Sequence, residues 1–226
     1  MATNTKDQQE LQQEKIQETV SKTEQFYNEN KKALWGTLIG VIVLGLLILA
    51  YQQFYAKPKK AEAMEQMYPA EAAFRAGNYD AALNGDGNSL GFAQVIEDYG
   101  AKAGKAVYFY AGVCELQNAN YEKAVEYLKK YNGKDEILAA RATACIGDAY
   151  VGLGDYKAAL AQFEKAAGIA DNAFAAQYLL KAAVVCEELG DKAKALDLYK
   201  TIKDKYPQSL EGYDIDKYIG RIEAEE

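Results

Sequence analysis

Hydrophobic and polar positions follow three different rhythms along this chain. Residues 1 to 32 are rich in Gln and Glu, with Leu11, Ile16, Val20 and Phe26 as scattered apolar positions. That is too little apolar surface for an independent fold, so the pattern predicts a loose or partly helical polar tail. From Ala33 to Ala56 the alternation stops, because 24 residues pass without a formal charge around the core run ALWGTLIGVIVLGLLILAY. As a helix this stretch is about 36 Å long, enough to cross a hydrocarbon layer of about 30 Å with some tilt. Lys31 and Lys32 bound it on one side and Lys57, Lys59 and Lys60 on the other. Trp35 at one end and Tyr51, Phe54 and Tyr55 at the other stand where a headgroup belt would lie. Beyond it, helical segments rich in small residues alternate with helical segments carrying aromatic residues. The pattern therefore divides the chain into a tail (1–32), a transmembrane anchor (33–56) and an all-α domain (57–226).

A cleaved signal peptide would lie nearer the N-terminus, have a shorter apolar stretch and end in a small-residue cleavage site, so the segment reads as a permanent anchor. Gly36 and Gly40 form a GxxxG with Gly45 beyond, which would let a second membrane helix approach closely. Orientation is not set by charge. Lys15, Lys22, Lys31 and Lys32 on one side nearly balance Lys57, Lys59, Lys60 and Arg75 on the other.

The domain contains four related stretches: GNYDAAL from Gly77, ANYEKAVEYLKKY from Ala119, GDYKAALAQFEKA from Gly154 and GDKAKALDLYKTIKDKYP from Gly190. Each follows a helical segment of small residues. This resembles the tetratricopeptide repeat, a helix-turn-helix unit of about 34 residues whose helices cross at small residues and whose neighbours are wedged by aromatic ones. The third unit matches best, with Gly147 and Tyr150 before the turn at Gly154, then Tyr156, Ala159, Phe163 and Ala166. The second has Gly112, Tyr121, Ala124 and Leu128 at these places. The fourth has Ala183, Ala195 and Tyr199, with Pro207 closing the unit. After it, Tyr213, Ile215, Tyr218, Ile219 and Ile222 fall at helical spacing, which predicts a helix capping the open end of an α-solenoid.

The first unit departs from the pattern because NGDGNSLG, residues 84–91, cuts its second helix after Leu83. Asn84, Asp86 and Asn88 alternate as the first ligands of a calcium loop would. Ser89 and Val95, however, stand where that loop needs glycine and glutamate, so the stretch reads as a connection. Its glycines match no phosphate-binding fingerprint.

Composition narrows the function. The chain has 33 acidic against 26 basic side chains and no histidine. A basic stripe for nucleic acid is missing, as are the commonest general base and the usual catalytic zinc ligands. No constellation for an enzyme, a cofactor or a small-molecule substrate stands out. Cys114, Cys145 and Cys186 sit among small apolar residues and read as three reduced core thiols.

The order of parts, with EQFYNENKKALWGTLIGVIVLGLL at residues 24–47, resembles the YfgM-like family of single-span proteins of the bacterial inner membrane. The NGDGNSLGF insertion resembles membrane-anchored tetratricopeptide proteins of the Bacteroidetes. The first resemblance implies a periplasmic repeat domain and an ancillary role at the Sec translocon, with translocon subunits, periplasmic chaperones and a prolyl isomerase as partners. The opposite topology would make the chain a cytosol-facing receptor or assembly factor for another membrane complex. The tetratricopeptide resemblance also implies a protein-binding groove along the first helices. It would comprise Met64, Met67 and Phe74, then Phe109, Val113 and Leu116, then Ala144 and Val151, then Leu180 and Val184, with charge at Glu71, Arg141, Asp148 and Glu187. An apolar groove of this kind suits unfolded client segments, and the lack of a Lys, Arg and Asn cluster argues against capture of a terminal carboxylate.

Overall fold

Four helix ends in this chain close in the same way, and in each the next helix begins at once. At Gly77, Ala119, Gly154 and Gly190 the backbone turns left-handed, with φ of 76°, 60°, 74° and 77°. Each of these residues donates its N–H to the carbonyl three residues back, and the following residue donates to the carbonyl five back, for example Gly154 to Val151 at 3.0 Å and Asp155 to Tyr150 at 2.9 Å. This double closure satisfies carbonyls that a helix end leaves orphaned. Asn78, Asp155 and Asp191 then cap the next helix, accepting from the N–H groups of Ala81, Ala158 and Lys194 at 3.3, 3.0 and 3.0 Å. Asn120 differs, since its side chain donates to Glu115 Oε2 at 2.7 Å and partners a carboxylate that is only 4% exposed.

The computed structural model describes residues 3–169 and 171–224 and separates into two units, Met1–Pro58 and Lys59–Glu226. Among the described residues the structure is helical without strands. In the second unit, the later part of α2 (Lys57–Arg75), α3 (Tyr79–Asn84) and α4 (Phe92–Tyr99) lead into three regular pairs. These are α5 (Ala106–Gln117) with α6 (Tyr121–Lys130), α7 (Glu136–Gly152) with α8 (Tyr156–Ile169), and α9 (Ala173–Glu188) with α10 (Lys192–Lys205). The helix α11 (Leu210–Glu223) packs on α10 and α9. This is a tetratricopeptide-like α-solenoid.

Each regular pair crosses where its first helix offers almost no side chain. A Cβ on Gly112 would lie 2.6 Å from Leu128 Cγ, and one on Gly147 would lie 2.6 Å from Phe163 Cε1. Ala183 takes this place in the third pair and is fully buried. Opposite them, Ala124, Ala159 and Ala195 are also fully buried, and one turn later Leu128, Phe163 and Tyr199 fill the interior. The repeat is therefore a repeat of contacts as well as of letters. The core runs along the stack as three clusters, from α2–α5 through α5–α7 to α7–α11.

The interruption in the first unit holds itself together. Asp86 Oδ1 accepts from the N–H groups of Asn88 and Ser89 at 3.0 and 2.8 Å, and these two bonds hold its carboxyl below the ordinary carboxylate range. Gly85 is left-handed, and a Cβ on Gly91 would collide with the Leu83 carbonyl. Asp86, the one carboxylate in the Asn84, Asp86 and Asn88 alternation, is thus engaged by its own backbone. Phe92 of α4 meanwhile stacks on Tyr110 at 5.4 Å, so the inserted helix joins the core.

In the first unit, α1 (Thr3–Tyr51) is continuous and passes into a π-helical turn at Gln52–Ala56. Of the two states expected for the tail, loose or partly helical, it takes the helical one from Thr3. Residues 3–32 contain no Gly or Pro and many Gln, Glu and Lys, all good helix formers. The helix from Glu24 onward has a stretch with mean hydropathy 2.5, none of it buried within the structure. By length and composition it can cross a membrane. Gly36 and Gly40 lie one turn apart and a Cβ on either meets nothing within 4 Å. Gly45 is turned about 140° from Gly40 at 3.6 residues per turn, so it does not extend their face as the sequence reading expected.

The crossing and the turn give variants of opposite sign. Gly147→Val forces a branched side chain into the Phe163 ring and is expected to cost about 1–3 kcal/mol. Ala119→Gly relieves a left-handed alanine and is expected to gain about 1 kcal/mol. Urea unfolding of the full chain in detergent, followed by circular dichroism, checks both; a neutral Gly147→Val would remove the crossing from the account.

A cleft across three first helices

The first helices of the three regular pairs, α5, α7 and α9, share one face of the stack. Their starts are fixed locally: Asp135 Oδ1 accepts from Leu138 N–H at 2.8 Å, and Asn172 Oδ1 from Phe174 N–H at 2.9 Å. Counting from these caps, Ile137 and Phe174 occupy the same second helical position. Helical spacing then carries Arg141, Ala144, Cys145 and Asp148 along α7, and Gln177, Tyr178 and Lys181 along α9. With Val113, Leu116 and Gln117 of α5 they enclose a cleft of about 400 Å³.

Its chemistry is mixed. Ile137 and Phe174 are 51% and 53% exposed and stand at corresponding positions of α7 and α9, so two apolar side chains border the cleft together. Lys181 Nζ bonds both carboxylate oxygens of Asp148, at 2.7 and 2.8 Å, tying α9 to α7 across the floor. Arg141 stands apart from this pair. Its guanidinium lies 6.0 Å from the centroid of the Phe109 ring, and no carboxylate among the described residues is within ion-pair distance. Cys145 is half-buried at the floor; burial pushes its thiol up to about 11, with the Asp148 charge adding to that shift and Lys181 and Arg141 opposing it. Burial also raises the Tyr178 hydroxyl. Among the described residues no group of His, Cys, Asp and Glu is arranged to hold a metal ion.

Of the residues expected in the groove, Val113, Leu116, Ala144, Arg141 and Asp148 line this cleft. Phe109 does not: it is 3% exposed and forms the platform beneath Arg141. Met67 is buried, and Phe74 packs edge-on against Tyr110 and Tyr79 at 5.1 and 5.6 Å, because α4 and the aromatic cluster fill the space that a regular first unit would leave open. Met64 and Val184 are exposed away from the cleft, as is Val151, while Glu71 lies 4.0 Å from Arg75 on its own helix. Leu180 packs against the core. Glu187 accepts from Tyr199 Oη and, at 2.6 Å to each oxygen, from Arg221 Nη2 of α11. The capping helix thus takes the C-terminal end of α9, and α9 lines the cleft only from Phe174 to Lys181. Gln117, Ile137, Cys145, Phe174, Gln177, Tyr178 and Lys181 were not expected; aligning the units on the caps Asp135 and Asn172 exposes the equivalence of Ile137 and Phe174.

The thiols also divide. Cys114 and Cys186 are buried as expected and Cys145 is not, because it faces the cleft; all three are free. Burial lifts Cys114 to about 12, with the charge of Glu115 adding to it, and raises Cys186 as well.

Residues 146–209, from the middle of α7 to the cap of α11, match the tetratricopeptide repeat family profile. No curated protein sequence matches the chain. The fold is similar to that in the crystal structure of MamA, with a TM-score of 0.51 at 18% identity, over 69% of this chain and 92% of that one.

Because burial raises the thiols above their ordinary value of 9, the folded chain keeps protons that the unfolded chain releases. Their stabilising contribution is complete below about pH 9 and is lost as pH rises towards 11 and 12. The urea midpoint is expected to fall between pH 8 and pH 10.5, and less steeply in Cys114→Ala. In native alkylation Cys145 is expected to react first, and a faster Cys114 would contradict its burial.

Proposed function

We propose that this chain is a membrane-anchored scaffold that binds other proteins through the cleft across α5, α7 and α9, and that it assists translocation or chaperoning of proteins at the periplasmic face of a bacterial inner membrane. The observation that carries the binding role is the cleft itself. Two exposed apolar side chains, Ile137 and Phe174, flank an unpaired arginine on a rigid helical face. Apolar anchors beside a directional charged group are the usual composition of a protein-binding hot spot. The anchoring role is supported by the apolar helix and its flanking lysines and aromatics. The periplasmic side and the translocon are supported by the YfgM-like order of parts around residues 24–47. Partners on this reading are translocon subunits, a periplasmic chaperone or prolyl isomerase, and unfolded clients.

Two experiments separate the parts of the proposal. Replacing Ile137 and Phe174 together by Glu is expected to release partners that co-purify in mild detergent while leaving helical circular dichroism intact, since both side chains are exposed; unchanged partners would exclude the cleft. A C-terminal alkaline phosphatase fusion is expected to be active. An inactive phosphatase beside a bright C-terminal fluorescent fusion of cytosolic type would instead make the chain a cytosol-facing receptor or assembly factor.

A further inference from the structure

We infer that the cleft selects extended peptide segments in which an acidic side chain stands next to apolar ones, with Arg141 as the anion anchor. The inference rests on the reading of the cleft as a peptide site and adds the chemistry of its occupant. The chain as a whole carries −7, but the charged side chains lining the cleft are Arg141, Lys181 and Asp148. Asp148 and Lys181 neutralise one another through two short bonds. One positive charge is left over, on an acidic protein, inside a concavity.

That charge is held in place to receive a partner. The guanidinium rests over the buried Phe109 ring, which restrains the side chain without using its hydrogen-bond donors. An arginine fork presents donors in a geometry that matches a carboxylate in two parallel bonds. On the same helix Ile137 lies one turn before Arg141, and Phe174 lies across from it at the start of α9. An occupant that satisfies all three places a carboxylate between apolar side chains. Gln117 and Gln177 line the same cleft with amides that both donate and accept, as the backbone of an extended segment requires. A basic occupant would leave Arg141 unpaired and repelled. The lone unpaired cation also distinguishes this site from the multi-residue clamp that a terminal carboxylate requires, so the acid selected is a side chain within the segment.

The test uses the full chain in detergent micelles and three blocked ten-residue peptides, carrying a neutral dye, in which Leu alternates with Glu, Gln or Lys. Fluorescence anisotropy at low salt is expected to show the Glu peptide bound about tenfold more tightly than the Gln peptide, and the Lys peptide more weakly than either. Arg141→Gln should abolish the difference between the Glu and Gln peptides without weakening the Gln peptide. Arg141→Lys, which keeps the charge without the fork, should restore part of it. Phe174→Ser should weaken both peptides alike. Equal binding of the Glu and Gln peptides, or a preference that survives Arg141→Gln, overturns the acid selectivity and leaves the cleft as an apolar peptide site. If none of the three binds, the selectivity and the cleft reading fall together.

Discussion

The structure depends on how closely two helices can approach at the middle of each hairpin. Gly112 and Gly147 have no room for a Cβ, because Leu128 and Phe163 occupy that volume, and Ala124, Ala159 and Ala195 have no exposed surface. With small residues at the crossing, a large side chain one turn later can enter the interior, so each pair carries its own piece of core. The left-handed turn is the second half of the same constraint. It brings the chain back within three residues, and the next residue both completes the closure and begins the partner helix. Ala119 shows that the geometry, more than the glycine, is what recurs, since an alanine adopts φ of 60° there.

Once the pairs are fixed, the first helices are obliged to lie side by side, and the cleft is a consequence of their stacking. Its individual character comes from three local details. The caps Asp135 and Asn172 set the starts of α7 and α9 so that Ile137 and Phe174 emerge together. Phe109, spent in the core, supports Arg141 from below. At the far end, Arg221 of α11 holds Glu187 and withdraws the last turn of α9 from the face. That pair is partly exposed, so it contributes position more than stability. Its effect on the site is to bound it.

Much of this was legible in the sequence because the relevant signals are short-range. The small residues at 112, 124, 147 and 159 and the turns at 77, 119, 154 and 190 are each recognisable within one or two helical turns, and the apolar run at 33–56 is recognisable by its unbroken length. What was not legible depends on contacts between units. Phe74 and Phe109 carry apolar spacing that suits a groove as well as a core, and only the insertion of α4 and the stacking of α5 on α7 decide between them. Leu180, Val184 and Glu187 enter the expected groove through the resemblance to the repeat unit; the α11 contact that occupies this end lies more than thirty residues away in sequence. In the polar tail, sparse apolar surface left a loose and a partly helical state both open, and the absence of Gly and Pro among its good helix formers favours the helix.

The central claim is that the face shared by α5, α7 and α9 is where this protein meets its partners. Its most direct test is a photo-crosslinking amino acid placed in turn at Ile137 and Phe174 in the cleft, and at the exposed positions Glu122 and Tyr213 elsewhere on the stack. On illumination of intact cells, the account predicts discrete higher-mass adducts from the two cleft positions and none from the other two. Adducts from Glu122 or Tyr213 with a silent cleft would contradict it.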